Sequence, residues 1–216
     1  FMIHNFSAGA DAVVVGKNIN TVSDLKGKKI AYSEGTASHS LLLNTLEAAG
    51  LSGSDVKQVV TGYGSDVAQA FKAKQVDAAV VFTPDDEACL EAVPGSKILT
   101  STAQANTLIT DGFIAKKEWL EKNHDVVKKI IEALLWANSE ITNNPDSYQA
   151  ACKAFSEAFD VPIDYVVNTG KKINFATLKD NINWFGLNPY YTGVKGEALY
   201  TKMSMIYTSL GLTKSV

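Results

Sequence analysis

Apolar residues in the first hundred positions alternate between short β-type runs and stretches with helical spacing. Leu41, Leu42 and Leu46 fall on one face of a helix predicted from Ala37, and Gly50 ends it. Val76–Phe82 is apolar throughout, which is typical of a strand covered by helices on both faces. Further predicted elements are strands at 1–6, 13–15, 28–32, 56–60 and 97–100, a helical turn at 23–27 and a helix at 67–74.

The order strand, helix, strand, helix, strand predicts an open α/β layer with parallel strands and right-handed crossovers. Ligands of such sheets bind beyond the carboxyl ends of the strands. This rule selects three segments before any chemistry is considered: Ser33–His39, Thr61–Asp66 and Phe82–Asp86.

The pattern changes near residues 100–110 and becomes mainly helical. Gly112–Ala115 is a short predicted strand, and Asp125–Thr142 is a long amphipathic helix that Pro145 ends. Further helices are predicted at 117–122, at 147–159, from 162 onward and at 198–210. We therefore expect an α/β first part followed by a helical second part.

Composition and charge exclude several classes of protein. The 216 residues carry a formal charge of -3, which argues against a nucleic-acid partner, and their apolar runs are too short to span a bilayer. Cys89 and Cys152 form no CxxC motif and no pair with histidine, so the sequence predicts buried thiols, no metal site and no cofactor. The chain begins inside a predicted strand at Phe1, and we expect a fragment or a truncated chain.

The strongest candidate site is the segment from Glu34 to His39, where a strand ends, Gly35 permits a tight turn and small hydroxylated residues open a helix. Backbone N–H groups at a helix start bind carboxylate, sulfonate, phosphate or nitrate, and the hydroxyls of Thr36 and Ser38 are additional donors. A second interpretation stays open: either hydroxyl simply caps the helix.

The end of the third strand of this layer offers an apolar wall in Phe82 and a hydroxyl in Thr83. The acids that follow Pro84 fit helix initiation, because acidic side chains in a first turn are stabilised by the helix dipole. We therefore expect Asp85, Asp86 and Glu87 to point outward; facing a ligand, they would favour a cation instead.

Catalytic motifs are absent from the sequence. The three histidines form no spaced pair, and there is no Gly-x-Ser-x-Gly elbow, Walker loop or GxGxxG. Gly62-Tyr63-Gly64-Ser65 is interpreted as a plain turn. The sequence thus favours binding over turnover.

Several motifs, in order, resemble the solute-binding components of ABC importers, in particular the aliphatic sulfonate, nitrate and taurine group, which includes binders of thiamine-pyrimidine precursors. They are Ala8–Val15, Asp24–Ala31, Glu34–Leu43, Phe71–Ala79 and Asp111–Ala115 with Trp119-Leu120 and Asp125–Val127. The resemblance covers residues 7–142 and fades into generic helices afterwards.

The resemblance implies a fold of the periplasmic-binding-protein type 2, with two α/β lobes, a hinge and ligand enclosed between the lobes. Residues 1–11 would be the hinge strand of the first lobe, 12–103 the complete second lobe, and 104–216 the return crossover and helical remainder of the first. That lobe is expected to be incomplete, lacking an N-terminal segment of the same protein. The uncovered helix faces at 125–141 and 198–210 then predict aggregation, domain swapping or a need for the missing N-terminal segment.

The family's ligand contacts, carried over onto matching positions, define the candidate ligand-binding residues. They are Ser7, Gly9, Gly35, Thr36, Ser38, His39, Phe82, Thr83 and Asp111. Many relatives have aromatic residues after the proline equivalent to Pro84, whereas this chain has Asp85-Asp86, which leaves the ligand class open.

The function implied is extracytoplasmic capture of a small solute, an anion being favoured, and its delivery to ABC permease subunits. The protein would lie in the periplasm or be lipid-anchored on the outer face of the cytoplasmic membrane. Two alternatives share the fold: a thiamine-pyrimidine-related enzyme, which would need a cysteine-rich stretch, and the ligand-sensing domain of a regulator, which would need a fused DNA-binding segment.

Overall fold

The computed structural model describes residues 1–214, which form two compact units. The first unit contains residues 1–6 and 110–206, and the second contains 7–109 and 207–214. Residues 7–11, 104–109 and 207–214 thus belong to the second unit, whereas the sequence assigned them to the hinge and the first lobe.

The strands and helices follow the predicted elements closely in the first half of the chain. The strands are β1 (Met2–Ser7), β2 (Asp11–Val15), β3 (Lys29–Tyr32), β4 (Lys57–Val60), β5 (Ala78–Phe82), β6 (Lys97–Ser101), β7 (Thr110–Phe113) and β8 (Ile173–Phe175). The α-helices are α1 (Ala37–Ala48), α2 (Ser65–Lys72), α3 (Asp85–Ala92), α4 (Lys117–Lys122), α5 (His124–Asn143), α6 (Pro145–Phe159), α7 (Ile163–Gly170), α8 (Leu178–Trp184) and α9 (Gly196–Ser209).

The second unit is built on a five-stranded sheet in the order β4-β3-β5-β2-β6. β3 pairs in parallel with β4 and β5, which confirms the predicted parallel layer. β2 pairs antiparallel with both β5 and β6, so the whole sheet is mixed rather than parallel. The crossovers through α1 and α2 join β3, β4 and β5, whereas β2 is not a neighbour of β3 in the sheet, so they do not fix the direction of β2.

An apolar layer covers each face of this sheet. Val13 and Val15 pack in one layer with Leu42 of α1, while Val14 packs in the other with Phe71 of α2. Successive side chains of a strand point to opposite faces, so a strand covered on both sides has to be apolar throughout. The uninterrupted apolar runs of β2 and β5 therefore place the sheet in the middle of the unit.

The first unit contains a three-stranded sheet in the order β7-β1-β8. The amide of Asn181 bonds both backbone groups of Ile3, at 2.9 and 3.1 Å, and Asn138 donates to the carbonyls of His4 and Ala176 at 3.0 and 2.9 Å. These buried amides satisfy backbone groups of β1 and of the segment after β8. β8 was not predicted, because three residues are too few to show a period.

Pro145 has a second role besides the predicted one: α5 ends just before it, as predicted, and α6 begins at it. The side chain of Asn144 accepts hydrogen bonds from the N–H groups of Asp146 and Ser147 at 3.0 and 3.4 Å. Proline is well suited to a first helical position, since its missing N–H would have no helical partner there.

Much apolar surface of the first unit is uncovered within residues 1–214. Ile114 is 95%, Trp136 67% and Tyr190 90% exposed. Asn138 is the one buried residue of α5, and α9 has none, in the part of the chain that the structure describes. No helix of that part is long and apolar enough to cross a membrane.

Candidate functional site

The loops that follow β3, β4 and β5 meet at one edge of the sheet, where the topology rule had placed a ligand site. The hydroxyl of Ser33, after β3, donates to the carbonyl of Gly62, after β4, at 2.6 Å. The ring of Tyr63 lies 5.8 Å from the ring of Phe82 at the end of β5. The structure thus brings together all three segments that the sequence selected.

Helix α1 begins at this edge with free backbone donors. Gly35 has φ +70°, a conformation that disfavours side chains, and Thr36 is extended at the N-cap position. The side chain of Thr36 makes no capping bond, because its hydroxyl donates to the carbonyl of Ser33 at 2.7 Å. The first N–H groups of α1, from Ala37 to His39, therefore have no hydrogen-bond acceptor among the described residues, as is usual for the first turn of a helix. The capping alternative does not describe Thr36.

His39 is buried, at 1% exposure, and its ring forms part of the turn. Nδ1 accepts a hydrogen bond from the N–H of Gly35 at 3.2 Å, so the proton of the neutral ring is on Nε2. Nε2 itself is buried without a hydrogen-bond partner among the described residues. Burial lowers the pKa of His39, against the opposing charge of Glu34, and this favours the neutral ring.

Two tyrosine rings contact the His39 ring. The centroid of Tyr32 lies 4.7 Å away and that of Tyr207, in α9, lies 5.5 Å away in a stacked arrangement. Ser38, beside His39 in the first turn of α1, is also buried, at 6% exposure. Sequence reasoning missed Tyr207, since nothing local to position 207 points to a residue so far away in the chain.

The charge at the start of α1 differs from that at the start of α3. The first turn of α1 has no acidic residue, whereas α3 begins with Asp85, Asp86 and Glu87. The expectation that all three acids point outward is wrong for Asp86, which is fully buried on the same face of α3 as Cys89. Positions three apart share a helix face, so the face that packs Cys89 inward also buries Asp86.

Asp85 lies close to the loop after β4. A Cβ placed on Gly64 would lie 3.3 Å from its carboxylate and 3.1 Å from the ring of Phe82. Burial raises the pKa of Asp85, while Lys72 lowers it and Asp86 raises it further. An acidic side chain is therefore present at the edge of the sheet, although not in the first turn of α1.

Phe82 and Thr83 both lie at this edge. Phe82 is half-buried, and its ring contacts the ring of Tyr63, which is 71% exposed. Thr83 is buried, and its N–H donates to the carbonyl of Ala10 at 2.8 Å. Tyr63 was missed as a site residue, because its loop was interpreted as a plain turn.

Ser7 and Gly9 belong to a hydrogen-bond network at the start of β2. The Ser7 hydroxyl donates to Asp11 at 2.7 Å and lies 2.7 Å from the hydroxyl of Thr102, which accepts from the N–H of Gly9 at 2.9 Å. These polar groups satisfy one another inside the second unit. Asp11 and Thr102 were not predicted to take part.

Asp111 lies in the first unit, unlike the other candidate residues. It is exposed in β7, opposite Asn5 of β1. Its charge raises the pKa of His4, although burial, the larger effect, lowers it. A role of Asp111 in ligand binding stays a prediction.

A family model described as NMT1/THI5 like matches residues 6–148. A binding protein of Brucella abortus (strain 2308) is 31% identical over 166 residues, 76% of this chain and 52% of the relative. The taurine-binding periplasmic protein of Escherichia coli (strain K12) is 30% identical over 151 residues, 68% of this chain and 45% of that protein. The chain thus spans about half the length of the curated relatives it matches.

Solved structures show the same fold. The periplasmic aliphatic sulphonate binding protein SsuA from Escherichia coli superposes with a TM-score of 0.75 at 20% identity, covering 99% of this chain and 66% of the other. A cysteine-to-serine mutant of DszB, a desulfurization enzyme, in complex with biphenyl-2-sulfinic acid has a TM-score of 0.58 at 14% identity, covering 98% of this chain and 72% of the other. The fold is therefore shared by a binding protein and an enzyme.

The predicted α/β fold of the periplasmic binding proteins is confirmed by these structures. The family model covers well over half of the chain, including β2 to β7 and all the loops at the edge of the five-stranded sheet. The chain therefore belongs to the NMT1/THI5-like family.

Proposed function

We propose that this chain is part of the solute-binding component of an ABC importer and that it captures an organic sulfonate outside the cytoplasmic membrane. The observation that carries the proposal is the start of α1, where the side chain of Thr36 makes no capping bond and the first turn contains no acidic residue. Relatives named for taurine and for aliphatic sulfonates support this ligand class. Delivery to permease subunits belongs to the same proposal.

The sulfonate group fits the start of α1 for physical reasons. A helix N-terminus attracts negative charge by about 0.3–1 kcal/mol when exposed and by up to ~2 kcal/mol when partly buried. Three oxygens around one sulfur match several converging N–H donors, and charge-assisted bonds of this kind are stronger than neutral ones. Ala37 is exposed, so solutes can approach the turn from solvent.

The organic part of the solute would rest on the aromatic rings at the same edge. The hydroxyl of Thr36 bonds the carbonyl of Ser33, and Ser33 bonds Gly62, next to Tyr63. These bonds connect the start of α1 with the ring pair of Tyr63 and Phe82. An exposed aromatic ring offers apolar area at low entropic cost.

Catalysis is the weaker interpretation, although DszB shares the fold. Burial raises the pKa of Cys89 to about 11, so its thiol is protonated at neutral pH and is a poor nucleophile. Cys152 is also buried, at 5% exposure. Neither thiol has the exposed, electropositive surroundings of a reactive cysteine.

Calorimetric titration with two solutes of opposite charge tests the proposal. Ethanesulfonate and ethylammonium carry the same short tail, so only the head group differs. We expect ethanesulfonate to saturate the protein and to be recovered unchanged by NMR, and ethylammonium to give no heat of binding. The opposite preference would overturn the anion site, and a chemically altered ethanesulfonate would overturn the binding function.

A further inference from the structure

We infer that Tyr207 is a positioning residue for the anion site, holding the first turn of α1 in the geometry that the backbone donors need. The inference rests on the proposed function, because it concerns the same helix start. Tyr207 lies near the end of α9, distant in sequence from α1, and neither the family resemblance nor any local motif singles it out.

The phenol hydroxyl bonds both ends of the first turn. It donates to the carbonyl of Thr36 at 3.1 Å and lies 2.6 Å from the hydroxyl of Ser40. A phenol has a single proton, so when it donates to Thr36 it accepts from Ser40. The same carbonyl accepts the N–H of Ser40 at 3.2 Å, the first backbone bond of the helix. Tyr207 therefore reinforces the bond that closes the turn.

The ring of Tyr207 acts on the other part of the turn through His39. The two rings stack with centroids 5.5 Å apart and planes inclined by 26°. His39 in turn accepts the N–H of Gly35, which has the positive φ that the tight turn requires. Tyr207 thus supports both the residue that begins the turn and the residue that closes it.

This support matters because α1 has no side-chain cap. Uncapped helix ends fray, whereas a side-chain cap stabilises the first turn. The hydroxyl of Thr36 is directed to Ser33 instead. An anion site made of N–H groups binds well only if those groups converge beforehand, since ordering them on binding reduces affinity. Tyr207 supplies the order that a capping residue would otherwise provide.

The phenol is well suited to this role at neutral pH. Burial raises the pKa of Tyr207, while its bond with Ser40 lowers it, and the first effect is the larger. The hydroxyl therefore keeps the proton that it donates to Thr36. Losing that proton would place a negative charge against a carbonyl oxygen and beside the proposed anion site.

Tyr207→Phe is the direct test, because it removes the hydroxyl and keeps the ring. We expect its affinity for ethanesulfonate to fall about two- to tenfold, because the hydroxyl's bonds to Thr36 and Ser40 are lost and the first turn of α1 is held less firmly. Tyr200→Phe, on an exposed residue of the same helix, is the matched control and should bind as wild type does. Equal affinity of the Tyr207→Phe and wild-type proteins would overturn the inference.

A second control separates positioning from general stability. The hydroxyl of Tyr148, in the first unit, donates to the carbonyl of Val167 at 2.7 Å, a bond of the same kind. Tyr148→Phe should lower stability without changing the affinity for ethanesulfonate. If it weakens binding as much as Tyr207→Phe does, Tyr207 has only a structural role.

Hydrogen exchange tests the inference without any ligand. In the free protein, the N–H of Ser40 is bonded to the carbonyl of Thr36, and we expect Tyr207→Phe to speed amide exchange at Ser40 several-fold, with no change in the Tyr200→Phe control. Unchanged exchange rates would overturn the positioning role even if ethanesulfonate binds. Faster exchange in a protein that binds no ethanesulfonate would uphold the positioning role and refute the proposed function.

Discussion

At the scale of single residues, the donors offered to an anion are mainly backbone N–H groups, and the side chains around them hold the turn. Thr36 bonds Ser33, and His39 bonds Gly35. The hydroxyl of Ser38 makes no hydrogen bond within the turn among the described contacts. Its role in ligand binding can therefore be tested without disturbing the turn.

Ser38→Ala should therefore weaken ethanesulfonate binding about two- to tenfold, because one hydrogen bond to the sulfonate is lost. Asp85→Asn is the comparison variant, since it removes a charge from the same edge of the sheet without touching α1. We expect it to change the affinity little. Calorimetry that shows the reverse ranking would mean that the bound group is a cation.

The buried ring of His39 should make the stability of the protein depend on pH. Burial lowers its pKa in the folded protein, with Glu34 opposing, so the unfolded chain takes up the proton at a higher pH than the folded one. Its contribution to stability is therefore complete above about pH 6.5 and is lost as the pH falls through the lowered folded pKa. We expect the free energy of unfolding in urea to decrease between about pH 7 and pH 5.

The variant His39→Gln should reduce this pH dependence but not abolish it. The pKa of His4 is also lowered by burial, against the charge of Asp111, so His4 contributes in the same direction. A slope that is the same with and without His39 would contradict this account.

At the scale of elements, α1 and α3 show how two helix starts at one sheet edge differ in charge. Three acids occupy the first turn of α3, and none occupies that of α1. A helix start stabilises negative charge whether it comes from its own side chains or from a solute. An acid placed in the first turn of α1 should therefore compete with the solute.

Ala37→Glu tests this competition at an exposed position. We expect it to raise stability by about 0.3–1 kcal/mol through the helix dipole and to lower the affinity for ethanesulfonate about tenfold by charge repulsion. Ala48→Glu adds the same charge at the other end of α1, where it should lower stability slightly and spare binding. If both variants bind ethanesulfonate as wild type does, the solute does not bind at this helix start.

At the scale of the whole molecule, the two units differ in how well they bury apolar residues. The two-sided core belongs to the second unit, whereas large side chains of the first unit such as Trp136 and Ile114 are exposed within residues 1–214. Large apolar side chains that are exposed promote association where they share a surface.

We therefore predict that the 216-residue chain self-associates in solution, as measured by light scattering over a concentration series. Trp136→Arg, on α5, should reduce the association by placing a charge on the exposed face. Tyr63→Arg replaces an exposed aromatic residue of the second unit and should leave it unchanged. A wild-type chain that is monomeric at all concentrations would contradict the prediction.

The sequence by itself determined the local elements and the place of the site. The apolar run of β5 predicted a sheet covered on both faces, and the glycine between β3 and α1 predicted the turn at Gly35. These features are local. Side chains repeat their direction every two residues in a strand and every 3.6 in a helix, and the conformational freedom of glycine acts at its own position. The choice of the three loops at the carboxyl ends of the strands followed from the order of strands and helices along the chain.

Only the tertiary structure decided what surrounds that site. The antiparallel direction of β2, the burial of Asp86 and the bonds of Ser7 to Asp11 and Thr102 depend on which elements pack together. Tyr207 shows this most clearly, because its contacts with α1 join residues that no local pattern relates. Such contacts are set by the packing of the folded chain, since each side chain's partners lie far away in sequence.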